Sequence, residues 1–198
     1  TGLYTLEYSV PAPDAGAISH PGYLGHLEAF ADWLRDQPEV AHVYAYSDII
    51  KRLNRNMHSD DAADFAVPQT RELAAQYLLL YELSLPFGLD TNDRVDIDKS
   101  ATRVTVTLSK ISTRETRVFL DKVENWWDAR SPATAEYATG ATYLFSFISE
   151  RNSTDMIGGK IVAVVLIALV MMVALRSASL GALSLVPNLA PLAMTFGL

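Results

Sequence analysis

Hydrophobic and polar residues alternate in short stretches of the chain, and this pattern predicts strands that bury one face. Residues 4–10 place tyrosine, leucine or valine at every second position, and residues 102–109 repeat the pattern with valine and leucine. Residues 40–47 form another such stretch, and residues 133–140 form a weaker one that ends at Gly140. A period of two is typical of half-buried strands. The pattern therefore predicts four strands.

Apolar residues at helical spacing follow the first and third of these strands. Residues 23–36 predict one helix, which Pro38 ends. Another helix is predicted to begin at Ser112, which forms a capping box with Glu115 three positions later. The order is thus strand–helix–strand, an intervening segment, and again strand–helix–strand. This order predicts an α+β fold, a ferredoxin-like domain of two split βαβ halves.

The two halves are separated by a predicted helical insertion at about residues 48–100. Helices are expected from about residue 48 to 57 and from about 69 to 84. The second carries leucine and tyrosine on more than one face, which is more apolar than a free surface helix should be. This excess makes the insertion a candidate surface for contact with a substrate or a neighbouring domain, whereas ordinary core packing is the favoured interpretation of each of its aromatic residues. The candidate substrate-path residues are Tyr77, Leu80, Tyr81 and Phe87.

A run of fifteen apolar residues, 161–175, changes the character of the chain. At ~1.5 Å per residue this run spans about 22 Å, and adding residues 156–160 extends it toward the roughly 30 Å core of a bilayer. We therefore expect a transmembrane helix over residues 156–176 and the truncated start of a second one over residues 180–198. A helix buried in a protein core is the alternative for the apolar run.

Five residues of this region carry more specific expectations. Gly158 and Gly159 are adjacent and would allow close helix packing or a hinge. Arg176 is the one charge between the two apolar segments, which predicts a cytoplasmic connection and places residues 1–155 on the extracytoplasmic side. Pro187 is tolerated in a membrane helix bundle, and Asn188 should face other helices.

Charge and composition exclude several classes of function. All 23 acidic residues lie at or before Asp155 with 14 of the 16 basic ones, so residues 1–155 carry a net charge of −9. Such a domain is unsuited to nucleic acid, which requires a basic surface. The sequence has no cysteine, and its four histidines lack the spacing of a metal site. We find no catalytic or cofactor-binding signature and expect a protein that is not an enzyme and uses no cofactor.

Several longer segments carry a family resemblance by their order along the chain. The most specific is ALRSASLGALSLVPNLAPLAMTFGL at residues 174–198. It is preceded by IIKRLNRNMHSDD at 49–61, ELAAQYLLLYELSLPFGLD at 72–90, KSATRVTV at 99–106 and ATGATYLFSFISERN at 138–152. With these segments the chain resembles the RND superfamily of membrane exporters, and within it the MMPL-like branch of bacterial predicted exporters.

The resemblance implies an architecture and a function. Exporters of this kind have two similar halves, each with a large porter domain outside the cytoplasm after its first transmembrane helix. The chain would be the second such domain with the helices that follow, a piece of a multi-pass protein of the bacterial inner membrane. The implied activity is proton-driven export of hydrophobic or amphipathic molecules, lipid or drug-like. Its proton-carrying acids would lie elsewhere in the parent protein.

The implied partners are a hydrophobic small molecule or lipid, the bilayer and the remaining transmembrane halves of the parent protein. Two other functions stay open at this point. One is a membrane-anchored extracytoplasmic binding or sensor domain. The other is an accessory translocation protein that has no small-molecule cargo.

Overall fold

A computed structural model describes residues 4–86, 90–130, 138–174, 176 and 179, and in its last helix it describes side chains at 141–148, 156, 158–160 and 162–174. The described strands are β1 (Tyr4–Pro11), β2 (Val40–Tyr44), β3 (Ala101–Leu108) and β4 (Ala138–Thr139). The described α-helices are α1 (Pro21–Arg35), α2 (Tyr46–Met57), α3 (Arg71–Ser84), α4 (Thr113–Asp128) and α5 (Ala141–Ala174). Short 3₁₀ turns lie at Ala17–Ser19 and Ala62–Asp64.

The four strands form one antiparallel sheet in the order β2-β3-β1-β4. In the centre Tyr8 lies opposite Val104, and at one edge it lies opposite Ala138. At the other edge Val43 lies opposite Val106, and the ladder is irregular between Val40 and His42. The α+β class predicted from the sequence is therefore confirmed.

The core lies on one face of this sheet. Leu6, Tyr8 and Val10 of β1 are buried, as the alternating pattern predicts. The side chain of Phe30 in α1 contacts the Tyr8 ring edge-on at 5.6 Å, and it lies 4.7 Å from the ring of Trp127 in α4. Both helices thus pack on the buried face of the central strand, and aromatic side chains supply much of the contact.

The predicted start of α4 is confirmed in atomic detail. The hydroxyl of Ser112 accepts a hydrogen bond from the Glu115 amide at 3.3 Å, and the Glu115 carboxylate accepts one from the Ser112 amide at 2.7 Å. These two bonds satisfy amide groups that the helix itself leaves unpaired.

The start of α2 lies slightly before residue 48, where the sequence predicts it. The helix begins at Tyr46, and Ala45 occupies the N-cap position. Alanine has no side-chain acceptor for a cap, so here the Asp48 carboxylate reaches back and accepts from the Ala45 amide at 3.3 Å. An acidic residue in the first turn thus takes over part of the capping.

A glycine ends the short edge strand β4. Gly140 has φ +104, a backbone conformation that residues with a side chain rarely adopt. A β-carbon at this position would lie 3.7 Å from the carbonyl oxygen of Thr5. Gly140 thereby allows the chain to turn from the sheet directly into α5.

Helix α5 covers most of the residues predicted to span a membrane. Among the residues that the structure describes, however, no helix meets the length and apolarity needed to cross a membrane, so the transmembrane helix predicted at 156–176 is not confirmed. The second predicted segment, 180–198, lies outside the described residues. By its internal contacts the chain divides into two compact units, Thr1–Ser146 and Phe147–Leu198.

Candidate functional site

The inner face of α3 is part of the core. Tyr77 is only 5% exposed, and its hydroxyl donates to Oδ1 of Asn54 in α2 at 3.0 Å. The Asn54 amide nitrogen in turn donates to the carbonyl oxygens of Asp64 at 2.9 Å and Ala66 at 3.1 Å. Tyr77 therefore joins α3 to α2 and to the turn between them, and its position is that of a packing residue.

The outer face of α3 exposes leucines. Leu79 is 55% exposed, Leu80 36% and Leu83 76%. Residues three and four apart lie on one helix face, so Leu79, Leu80 and Leu83 form one apolar strip, which we call the α3 leucine strip. Leu80 is among the substrate-path candidates predicted from the sequence. Leu79 and Leu83 are not, because spacing along the chain does not show which leucines face outward.

The other two substrate-path candidates are placed differently. Tyr81 is half-buried against the core. Burial raises the pKa of its hydroxyl, and the neighbouring Tyr44 adds to the rise. Phe87 lies outside the described residues. Of the described candidates, Leu80 is therefore on the surface, Tyr77 is buried and Tyr81 is half-buried.

The residues singled out in the apolar region are described only in part. Gly158 and Gly159 are exposed in α5, and no described atom lies within 4 Å of a β-carbon built on either. Arg176 follows α5 with φ +49, and its amide donates to the Val173 carbonyl oxygen at 3.3 Å. Pro187 and Asn188 lie outside the described residues. The roles expected of these residues remain predictions.

A groove of about 580 Å³ opens beside the first turn of α1. Its floor is formed by the buried residues Val10, Ala17, Tyr23 and Trp127, and the remaining lining residues are Pro11, Pro13, Asp14, His20, Gly22 and His26. We call it the Trp127 groove. The volume falls in the range of small-molecule sites, which are apolar clefts with a few polar groups.

The floor of the Trp127 groove is fixed by hydrogen bonds and ring contacts. The Tyr23 hydroxyl donates to the Val10 carbonyl oxygen at 2.8 Å and lies 2.7 Å from the Thr102 hydroxyl. The His26 ring lies 5.2 Å from the Trp127 ring. Because these contacts join α1 and α4 to the sheet, the apolar floor is held in place by the core.

The charge of the groove is low. Asp14 is its one carboxylate, it lies at the exposed rim, and neither lysine nor arginine is among its described lining residues. Burial, with a smaller effect from Arg130, holds the pKa of His26 below its usual range. His26 is therefore neutral at pH 7, and the groove presents mostly uncharged surface.

A larger groove of about 710 Å³ runs beside β2 and has a different chemistry. Its wall carries two arginines and a lysine, and two of these cations are paired: the Arg35 guanidinium donates to Asp32 at 2.7 Å, and the Lys51 ammonium donates to Glu28 at 2.8 Å. These ion pairs occupy much of the wall with polar groups that already have partners. The Trp127 groove is the better candidate for an apolar ligand.

Sequence reasoning missed the Trp127 groove because its residues come from distant parts of the chain. They include the loop after β1, the first turn of α1 and Trp127 at the end of α4. The proline-rich loop and the adjacent tryptophans are visible in the sequence, but only the fold brings them together.

Among the described residues no cluster of three or more histidine, aspartate or glutamate side chains could hold a metal ion.

Comparison with known proteins gives one family. The MMPL family model matches residues 36–198, which include every element from β2 onward. A search of curated proteins found no match. The family match covers the part of the chain in which the sequence segments that carry the resemblance occur, so the family assignment made from the sequence is confirmed. The chain belongs to the MMPL family, and it is thereby related to the RND-type transporters.

Proposed function

We propose that the chain is a porter-type domain of a proton-driven RND-type transporter that exports hydrophobic or amphipathic molecules, lipid or drug-like. The observation that carries the proposal is the MMPL family match over residues 36–198. The family relation makes the parent protein a membrane transporter. The substrate class and the energy source are the parts that we add.

The sheet topology supports a porter-type domain with a ferredoxin-like fold. Strands β1 and β2 with α1 form one half, and β3 and β4 with α4 form the other. In the order β2-β3-β1-β4, a strand of the other half separates the two strands of each half. This interleaving is the strand order that a split βαβ arrangement would have. We infer that α2 and α3 are the insertion that distinguishes this domain from a minimal one.

Exposed apolar side chains on α5 support a membrane setting for the complete transporter. Described residues such as Val165, Leu166, Leu169, Val170 and Val173 are each about half or more exposed. Apolar surface of this extent costs free energy in water, because ~25 cal/mol is lost per Å² left uncovered. Lipid or apolar segments of the parent protein would cover it.

The domain itself supplies binding surface and no proton path. Its carboxylates end at Asp155, and the only charges after it are Lys160 and Arg176. Proton-driven transport needs an acidic group in the membrane region that is protonated and released in turn. We therefore place the proton-carrying acids in other segments of the parent protein, and we assign to this chain the reception of the exported molecule on the extracytoplasmic side.

A test requires the full-length protein in bacterial cells. De-energised cells are loaded with the uncharged dye N-phenyl-1-naphthylamine or with a fluorescent lysophospholipid and are then supplied with glucose. We expect the signal to fall faster than in cells without the protein, and a protonophore should stop the difference. If neither probe leaves faster, or if the protonophore has no effect, proton-driven export is overturned and a binding or sensor domain becomes the better proposal.

A further inference from the structure

We propose that the Trp127 groove is a binding site for an uncharged hydrophobic small molecule. That this molecule is the exported one rests on the proposed function, whereas the binding does not. The groove has a rigid apolar floor and a volume of about 580 Å³, which suits a small molecule with a few rings. Its ligand would lie along Trp127 and Tyr23, at the junction of α1, α4 and β1.

The charges around the groove select an uncharged ligand. An anionic head group would meet the Asp14 carboxylate at the rim, and no lysine or arginine of the described lining would neutralise it. A cationic group beside His26 would approach Arg130, whose guanidinium lies 4.6 Å from the centre of the Trp126 ring and contributes to the lowered pKa of His26. Contact with the uncharged floor is what remains to stabilise the complex.

The tryptophans provide a direct signal for occupancy. The sequence has three, at positions 33, 126 and 127. The ring of Trp126 lies 5.1 Å from that of Trp127 and 5.7 Å from that of Trp33, so all three belong to one cluster at the groove. N-phenyl-1-naphthylamine absorbs where tryptophan emits. A bound probe should therefore quench tryptophan emission and fluoresce by energy transfer.

Two glycines of α1 give a blocking variant and its matched control. Gly22 lines the groove, and a β-carbon added there meets no atom within 4 Å. Gly25 is one turn further along the same helix, is equally open, and is not among the groove residues. Gly22→Phe should fill the groove mouth, while Gly25→Phe adds the same side chain to the surface outside it.

The test measures binding to the full chain in detergent at pH 7.5 by energy transfer, with circular dichroism as the check of folding. We expect Gly22→Phe to weaken binding of N-phenyl-1-naphthylamine by about tenfold or more, equivalent to ~1.4 kcal/mol. Gly25→Phe should bind like the unchanged chain. The smaller Gly22→Leu should give an intermediate loss, and it replaces Gly22→Phe if that variant does not fold.

A second probe tests the charge preference. 1-Anilinonaphthalene-8-sulfonate has nearly the same ring system but carries a sulfonate, so we expect it to bind the groove much more weakly than the neutral dye. Equal binding of the neutral dye by the Gly22 and Gly25 variants, or equal binding of both dyes, would overturn the proposal.

The outcome separates this inference from the proposed function. Binding in the groove is measured at equilibrium without a proton gradient, whereas export requires one. Groove binding without gradient-dependent export would sustain the inference and contradict proton-driven export. The opposite outcome is that Gly22→Phe changes neither equilibrium binding nor export. That result would support export and would overturn the Trp127 groove as the binding site.

Discussion

Asn54 shows how a single polar side chain can organise the helical insertion. It is only 7% exposed, and its amide group bonds to two main-chain carbonyl oxygens and to the hydroxyl of Tyr77. Buried polar groups without partners are costly, so these bonds specify one arrangement of α2, the following turn and α3. Tyr77 was predicted as a substrate-path residue because of its place on an apolar helix. The hydrogen bond from Tyr77 to Asn54 gives this tyrosine a structural role that requires no ligand.

Substitutions at these two positions should separate packing from substrate contact. Tyr77→Phe keeps the ring and removes one hydrogen bond, so we expect a loss of about 1 kcal/mol in the free energy of unfolding. Asn54→Leu removes all three bonds and leaves their partners unsatisfied, so we expect a loss of roughly 2–4 kcal/mol. Urea unfolding followed by circular dichroism measures both. Export should be unaffected by Tyr77→Phe, and a lost activity in a stable protein would restore Tyr77 as a contact residue.

Helix α3 has two apolar faces with different surroundings. Its inner face buries Ala74, Tyr77 and Leu78, and the α3 leucine strip faces outward. Because Leu79 and Leu83 are mostly exposed, these two side chains add little to the stability of the domain. An apolar strip that stability does not require is the expected feature of a surface that contacts a substrate or a neighbouring domain.

We therefore expect the double variant Leu79→Ser, Leu83→Ser to change the free energy of unfolding by less than about 0.5 kcal/mol per position, because both side chains are mostly exposed. Export of the fluorescent probes by the full-length protein should fall. The double variant Leu79→Met, Leu83→Met keeps an apolar surface at the same two positions, so it is the control and should leave both quantities unchanged. Normal export by the double variant would leave the strip without a role in transport.

The elements that could be predicted are those whose signal is local. The alternation at residues 4–10 and 102–109 gave β1 and β3 to within about two residues, because each strand buries one face on a core. The start of α4 could be predicted from Ser112 and Glu115, because the two residues of a capping box lie only three positions apart in the sequence. Ala45 gave no such signal for α2, since its cap uses a residue within the helix.

The site depends on contacts that sequence spacing does not contain. Which leucines of α3 face outward follows from the packing of Tyr77 on Asn54, 23 residues away. The Trp127 groove needs Val10, Tyr23 and Trp127 to meet, and these residues come from β1, α1 and α4. Local patterns thus predict the framework, and tertiary packing decides where an apolar ligand can bind.

The orientation of the whole molecule is the prediction that links the domain to transport. The domain can receive molecules for export only if it lies on the extracytoplasmic side, as the position of Arg176 in the sequence indicates. Because the chain has no cysteine, a single introduced thiol reports its own location. Asp121 suits this purpose, since it is exposed on α4.

We expect Asp121→Cys in the full-length protein to react with a membrane-impermeant maleimide in intact spheroplasts, provided that the other segments of the parent protein carry no accessible thiol or have had theirs replaced. The parent without the introduced cysteine is the control for background, and lysed cells give the total reactive thiol. Equal labelling before and after lysis places the domain outside the cytoplasm. Labelling only after lysis would place it inside, where a porter-type domain could not release its cargo outward, and both the orientation and the assignment of export to this domain would then be wrong.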